Sequence, residues 1–106
     1  MPKLNVTCSD FRPLEKNTLR GFATIYIAEM RMTISDVGIH EKNGKRWAAL
    51  PSKPMIKGKE VLTDSNGKVK YAPIFSFDED RVRYAFSDAA VKAVEDANYI
   101  GARENA

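Results

Sequence analysis

Few residues in this chain have side chains suited to catalysis. His40 is the only histidine and Cys8 the only cysteine. Neither stands in a serine elbow or beside paired carboxylates, so the sequence assembles no acid–base couple and no nucleophile with its base. Cys8 has no partner for a disulfide or for a shared metal and reads as a packed or half-buried thiol. Asp78, Glu79 and Asp80 would suit a hard divalent cation, yet negative charge at the start of a helix explains them without a metal. There is no glycine-rich nucleotide loop. The chain is expected to be no enzyme and to carry no cofactor.

What remains is electrostatic. Between Lys42 and Lys70, eight basic residues (Lys42, Lys45, Arg46, Lys53, Lys57, Lys59, Lys68 and Lys70) stand against only Glu60 and Asp64, in a chain of formal net charge +3. A basic middle between mildly acidic flanks suggests a local anionic partner. Trp47, Tyr71 and Phe75 are interleaved with it, a mixture that suits a phosphate backbone and stacked bases. A solvated lysine-rich edge that prevents sheet-to-sheet aggregation gives the same charge run, and composition alone does not separate the two.

The elements that must hold these residues fit one domain, residues 1–106. With 43% hydrophobic and 29% charged residues a folded core is expected. No apolar run reaches membrane-spanning length and "MPKLNVTCSDFRPLEK" lacks the core of a signal peptide, so a cytoplasmic protein is expected. Residues 4–12 alternate as a first strand, and "PLEKN" reads as a turn. "TLRGFATIYIAEM" is a strand apolar on both faces, to be covered by a helix and a partner subunit. A tight turn near Ala28 to Met30 leads to two strands joined at Asn43-Gly44, the preferred centre of a type I′ hairpin. That loop places Lys42 opposite Lys45, Glu41 opposite Arg46, His40 opposite Trp47 and Ile39 opposite Ala48. Asn66-Gly67 invites a second hairpin, with residues 52–67 a flexible basic loop.

The last element reads as a helix. Ser76 and Glu79 form a capping box, and Val82, Ala85, Phe86, Ala89, Ala93 and Ala97 make one apolar stripe. Tyr84, Val91 and Val94 fall toward another side, suggesting a subunit contact, with Gly101 ending the order and residues 98–106 a frayed tail. The fold class is α+β: a small antiparallel sheet with a C-terminal helix packed on it.

In the order of its segments the chain resembles the stage V sporulation protein G (SpoVG) family of septation regulators. The resemblance rests on "VTCSDFR", "LRGFATIYI", "ISDVGIHEKNGKRWAALPSKP" and "YAPIFSFDEDRVRYAFSDAAVKAVEDA", with "ALPSK" at residues 49–53 the most specific. It implies an antiparallel sheet with a C-terminal helix, a homodimer joined through strands, and DNA and RNA binding in bacterial regulation. By position it supports Lys53 as a nucleic-acid contact. The next family position, usually basic, is Pro54 here, and the loop from Met55 to Gly67 is longer than the family pattern.

The resulting expectation is a dimeric DNA- or RNA-binding regulator. Lys53, Lys57, Lys59 and Arg46 would contact phosphates, Lys42, Lys45, Lys68 and Lys70 would widen the positive field, and Trp47 or Tyr71 would stack. One alternative is a single-strand binder like the transcriptional coactivators that pair a curved sheet with one long C-terminal helix. Another is a protein-interaction module with an acidic partner.

Overall fold

The computed structural model describes residues 5–101; Leu4 of the expected first strand and residues 102–106 of the expected tail lie outside them. Four strands, β1 (Val6–Lys16), β2 (Leu19–Ile27), β3 (Met32–Lys42) and β4 (Lys45–Ala49), pair antiparallel in chain order. One helix, α1 (Asp80–Asp96), packs on one face of this sheet. The architecture is the expected α+β arrangement. Between sheet and helix the chain forms an arm of short strands: β5 (Ser52–Pro54) pairs with β8 (Tyr71–Pro73), and β6 (Ile56–Lys57) with β7 (Glu60–Val61). Residues 52–67 thus carry strand pairs, continued by a bridge between Thr63 and Val69.

The core lies between α1 and the face of the sheet that carries Phe11, Ala23, Ile25, Ile27, Ile34, Val37 and Ile39. From α1 it takes Phe86, Ala90 and Val94. Val91 and Val94 are 1% and 0% exposed, which corrects the expected subunit patch: these valines face the core, and Ala85 and Ala97 of the expected stripe face solvent. In an alanine-rich helix Phe86, Val91 and Val94 set the buried phase, since each such side chain contributes about 1.5–3 kcal/mol when fully buried. Tyr84 does remain outside.

Asn43 and Gly44 both have positive φ, 53° and 79°, as a type I′ turn demands. The register is the expected one, from Lys42 opposite Lys45 to Ile39 opposite Ala48. At the second Asn-Gly only Gly67 is left-handed, with φ 79°. Here the Asp64 carboxylate accepts the Asn66 and Lys68 backbone N–H groups at 2.8 and 3.0 Å. The Asp64 carbonyl takes that of Gly67, so the turn is a type I turn closed by a glycine bulge.

Three boundaries differ from the sequence reading. Strand β1 continues through Pro13 to Lys16, because an edge strand tolerates a residue without N–H, and the turn falls at Asn17, φ 55°. Helix α1 begins after Glu79 without a side-chain cap; the Glu79 carboxylate accepts from Arg81 Nε at 2.6 Å, and the Ser76–Glu79 capping box does not form. The helix ends before Gly101. Asn98 adopts φ 63°, donating to the Glu95 carbonyl while Tyr99 donates to that of Val94, the Schellman arrangement.

Candidate nucleic-acid interface

Residues directly opposite each other in an antiparallel sheet share a face, so the registers sort the basic segment. One face holds the core. The other carries Arg12, Phe22, Gly38 and Ala49 in one row, Leu19, His40 and Trp47 in the next, and Lys42 with Lys45 at the hairpin end. We call this the open face. Leu19 lies on this face, and Ala23 and Ile25 on the core face, because the β2–β3 register shifts between Leu19 and Gly21.

The His40 and Trp47 rings stand nearly parallel, 7° apart with centroids at 5.4 Å. Gly38 leaves room for this pair, as a Cβ there would come within 3.2 Å of His40 Nε2. His40 Nδ1 lies 3.0 Å from Thr18 Oγ1. Burial, with Arg20 adding to it, pushes the imidazole pKa below its ordinary value, so the ring is neutral near pH 7. The Arg12 guanidinium sits 5.8 Å from the Phe22 ring centre and pairs with Asp36. Where the arm leaves the sheet, Tyr71, Ile74 and Ser52 close a trough of about 580 Å³ over Phe22, Gly38 and His40.

The residues expected to bind nucleic acid do not all meet on this surface. Lys42, Lys45 and Trp47 do. Arg46 points to the core side, where it donates to Glu41 and Glu95, each at 2.7 Å, and to the Gly101 carbonyl. Its side chain is 13% exposed. Burial alone would lower its pKa, but the bonds to both carboxylates outweigh that and hold it above the ordinary value. Arg46 is a strut between β4 and α1, and its expected role in phosphate contact is corrected: two carboxylates already neutralise it.

Lys53 lies opposite Ala72, and strand alternation turns both away from Ser52 and Tyr71 and hence from the trough. Lys57 stands opposite Glu60 on the arm, with Lys59 in the adjoining turn. Lys68 and Lys70 are exposed on either side of Val69, where the arm returns toward β8. Among the described residues, salt bridges are made by Arg12, Arg46, Arg81, Arg83 and Lys92 and by none of these lysines. The positive charge therefore forms two groups, one at the β3–β4 tip and one along the arm.

Comparison with known proteins adds nothing to this geometry: no family model, no curated protein and no solved structure matches the chain. Among the described residues no helix is long and apolar enough to cross a membrane, and no group of three or more histidine, cysteine or acidic side chains is placed to hold a metal ion. Glu79 and Asp80 of the acidic cluster are engaged by Arg81 and Arg83. The Cys8 thiol is half-buried and donates to the Asp10 carbonyl at 3.1 Å; burial raises its pKa and keeps it protonated.

Arg12, Phe22 and His40 were missed as members of the site by sequence reasoning. Alternation in "DFR" and "RGFAT" marks Arg12 and Phe22 as facing away from Phe11 and Ala23. Only the pairing of β1 with β2, and of β2 with β3, puts them next to Trp47.

Proposed function

We propose that the protein is a nucleic-acid-binding regulatory protein of the SpoVG type, acting without catalysis as a cytoplasmic homodimer. The observation that carries this reading is the pair Lys42 and Lys45, in no salt bridge among the described residues, set beside the exposed Trp47 on the open face. Two cations held at one hairpin tip by a rigid turn form an anchor for consecutive phosphates. The arm lysines add a second, sequence-independent field. Arg46 serves the fold in this reading, and Lys53 belongs to the arm.

Support for a homodimer comes from the arm. Ile56, Val61 and Val69 are exposed there at 61%, 47% and 39%, although a two-stranded ribbon has too little apolar contact to be stable alone. A second copy covering them would bury that surface.

The test is binding of the full chain to labelled DNA and RNA oligonucleotides, followed by fluorescence anisotropy at several salt concentrations. Affinity is expected to fall as salt rises, and Lys42→Ala with Lys45→Ala together is expected to weaken binding and flatten the dependence. Binding indifferent to salt, or retained undiminished by the double variant, refutes the assignment. A protein captured equally well after nuclease treatment would favour the acidic-partner alternative.

A further inference from the structure

Two hollows share a wall at Ala49 and Leu50. On the sheet side is the trough over Phe22 and His40. On the other, along the free edge of β4, lies a groove of about 490 Å³ bordered by Trp47, Phe75 and Tyr84. Trp47 borders the groove, is 37% exposed, and stacks on His40, which lines the trough. Tyr71, Phe75 and Tyr84 are 60%, 49% and 57% exposed, so aromatic rings mark the surface from the arm base, past Trp47, to the start of α1. Cations accompany them: Arg12 by Phe22, Arg83 over Tyr84 at 4.6 Å, and Lys42 and Lys45 beside the His40–Trp47 pair.

We infer that this surface is a stacking platform for unpaired nucleobases, so that the ligand is single-stranded nucleic acid in preference to duplex. The inference rests on the nucleic-acid reading above and names the ligand form that the same site takes. Exposed rings lose no native packing when a base covers them, and every base has a π-face to offer. A duplex hides those faces inside its stack and presents only base edges in its grooves. The rings line hollows, so a double helix resting on the lysine tip would bring phosphates near the cations and leave the rings unfilled. A single strand can splay its bases into the hollows while its phosphates reach Lys42 and Lys45. Strand addition by a peptide is a poorer fit at this edge, because the Ala48 N–H is already taken by Ser87 Oγ at 2.8 Å.

Trp47 is the only tryptophan, so its emission reports on the platform. The experiment titrates the full chain with oligothymidylate and, separately, with the same strand annealed to oligoadenylate, reading both labelled-strand anisotropy and Trp47 fluorescence. The single strand is expected to bind at least about tenfold more tightly and to quench Trp47, and Tyr71→Ala to lower its affinity by about 5- to 150-fold, the span of one lost stacking contact. Trp47→Ala is expected to act likewise. Tyr71 is outside the core and its loss spares the fold, which keeps the test decisive should the Trp47 variant unfold. Duplex bound as tightly as single strand, without quenching and without effect of Tyr71→Ala, overturns the platform and leaves the nucleic-acid reading standing. No binding of either form overturns both. A concentration-dependent blue shift of Trp47 in free protein, with binding lost as it develops, would assign the surface to a second copy and overturn the proposal.

Discussion

At the residue scale, His40 joins stability to the open face. Its folded-state pKa is depressed by burial, with Arg20 adding to the effect, so the fold favours the neutral ring. The contribution is therefore complete above the unfolded-state value, about 6.5, and is lost as pH falls below it toward the lower folded value. The wild-type chain is expected to lose melting temperature between pH 7 and pH 5 by more than a His40→Gln variant does, and parallel melting curves across that range would refute the assignment. Arg46 makes the opposite kind of claim. Replacing it by Ala removes the guanidinium, 13% exposed, that ties Glu41 on β3 to Glu95 on α1 and bonds the Gly101 carbonyl. A loss of about 3 kcal/mol in denaturant unfolding is expected, the order found when one partner of a buried ion pair is removed. A loss below about 0.5 kcal/mol, the range of ordinary surface substitutions, would return Arg46 to the list of free cations. Gly21 is a third such point: a Cβ there would enter the Phe11 ring and stand 2.6 Å from the Arg12 carbonyl oxygen. Gly21→Ala is expected to cost about 1–3 kcal/mol through overpacking.

At the element scale, what was legible in the sequence was local. Asn43-Gly44 specified the β3–β4 hairpin and its register, because positive φ at two adjacent positions leaves one turn type and hence one pairing. The helix was legible as a helix and misread in its facing: alanines at 85, 89, 93 and 97 offer little contrast, and the buried set followed Phe86, Ala90 and Val94. The open face was not legible, since the sheet is assembled across four register shifts, between Cys8 and Asp10, Pro13 and Lys16, Leu19 and Gly21, and Ala23 and Ile25, and a shift of one residue exchanges the faces. The arm was read as a loop because Pro54, Gly58 and Pro73 interrupt its pattern, and its strands are only two or three residues long. It buries none of the core residues. Ile56→Lys with Val61→Lys is therefore expected to leave the melting temperature of the sheet and helix within the range of surface substitutions, while light scattering shifts from dimer to monomer mass. A dimer that survives both lysines places the subunit contact elsewhere.

At the scale of the whole molecule the decisive quantity is how the two groups of cations divide the work. Strand β4 runs from Lys45 to Ala49, four steps of about 3.3 Å, which puts the end of the strand from which the arm departs about 13 Å from the tip. That exceeds the screening length of about 8 Å at physiological ionic strength. The groups therefore act on a bound strand as separate contacts. Each phosphate neutralised on a single strand contributes about 0.7 to the log–log salt slope. Removing Lys42 and Lys45 together is then expected to reduce the slope by about 1.4, on the same rule. Replacing Lys57, Lys59, Lys68 and Lys70 by Ala is expected to reduce it further only for oligonucleotides long enough to span from tip to arm. With a strand too short to reach both, the fourfold arm variant should bind as the wild type does, whereas the tip variant should not. Equal losses from both variants on the short strand would mean that the charges act as one diffuse field, and the anchor at the hairpin tip would have no separate existence.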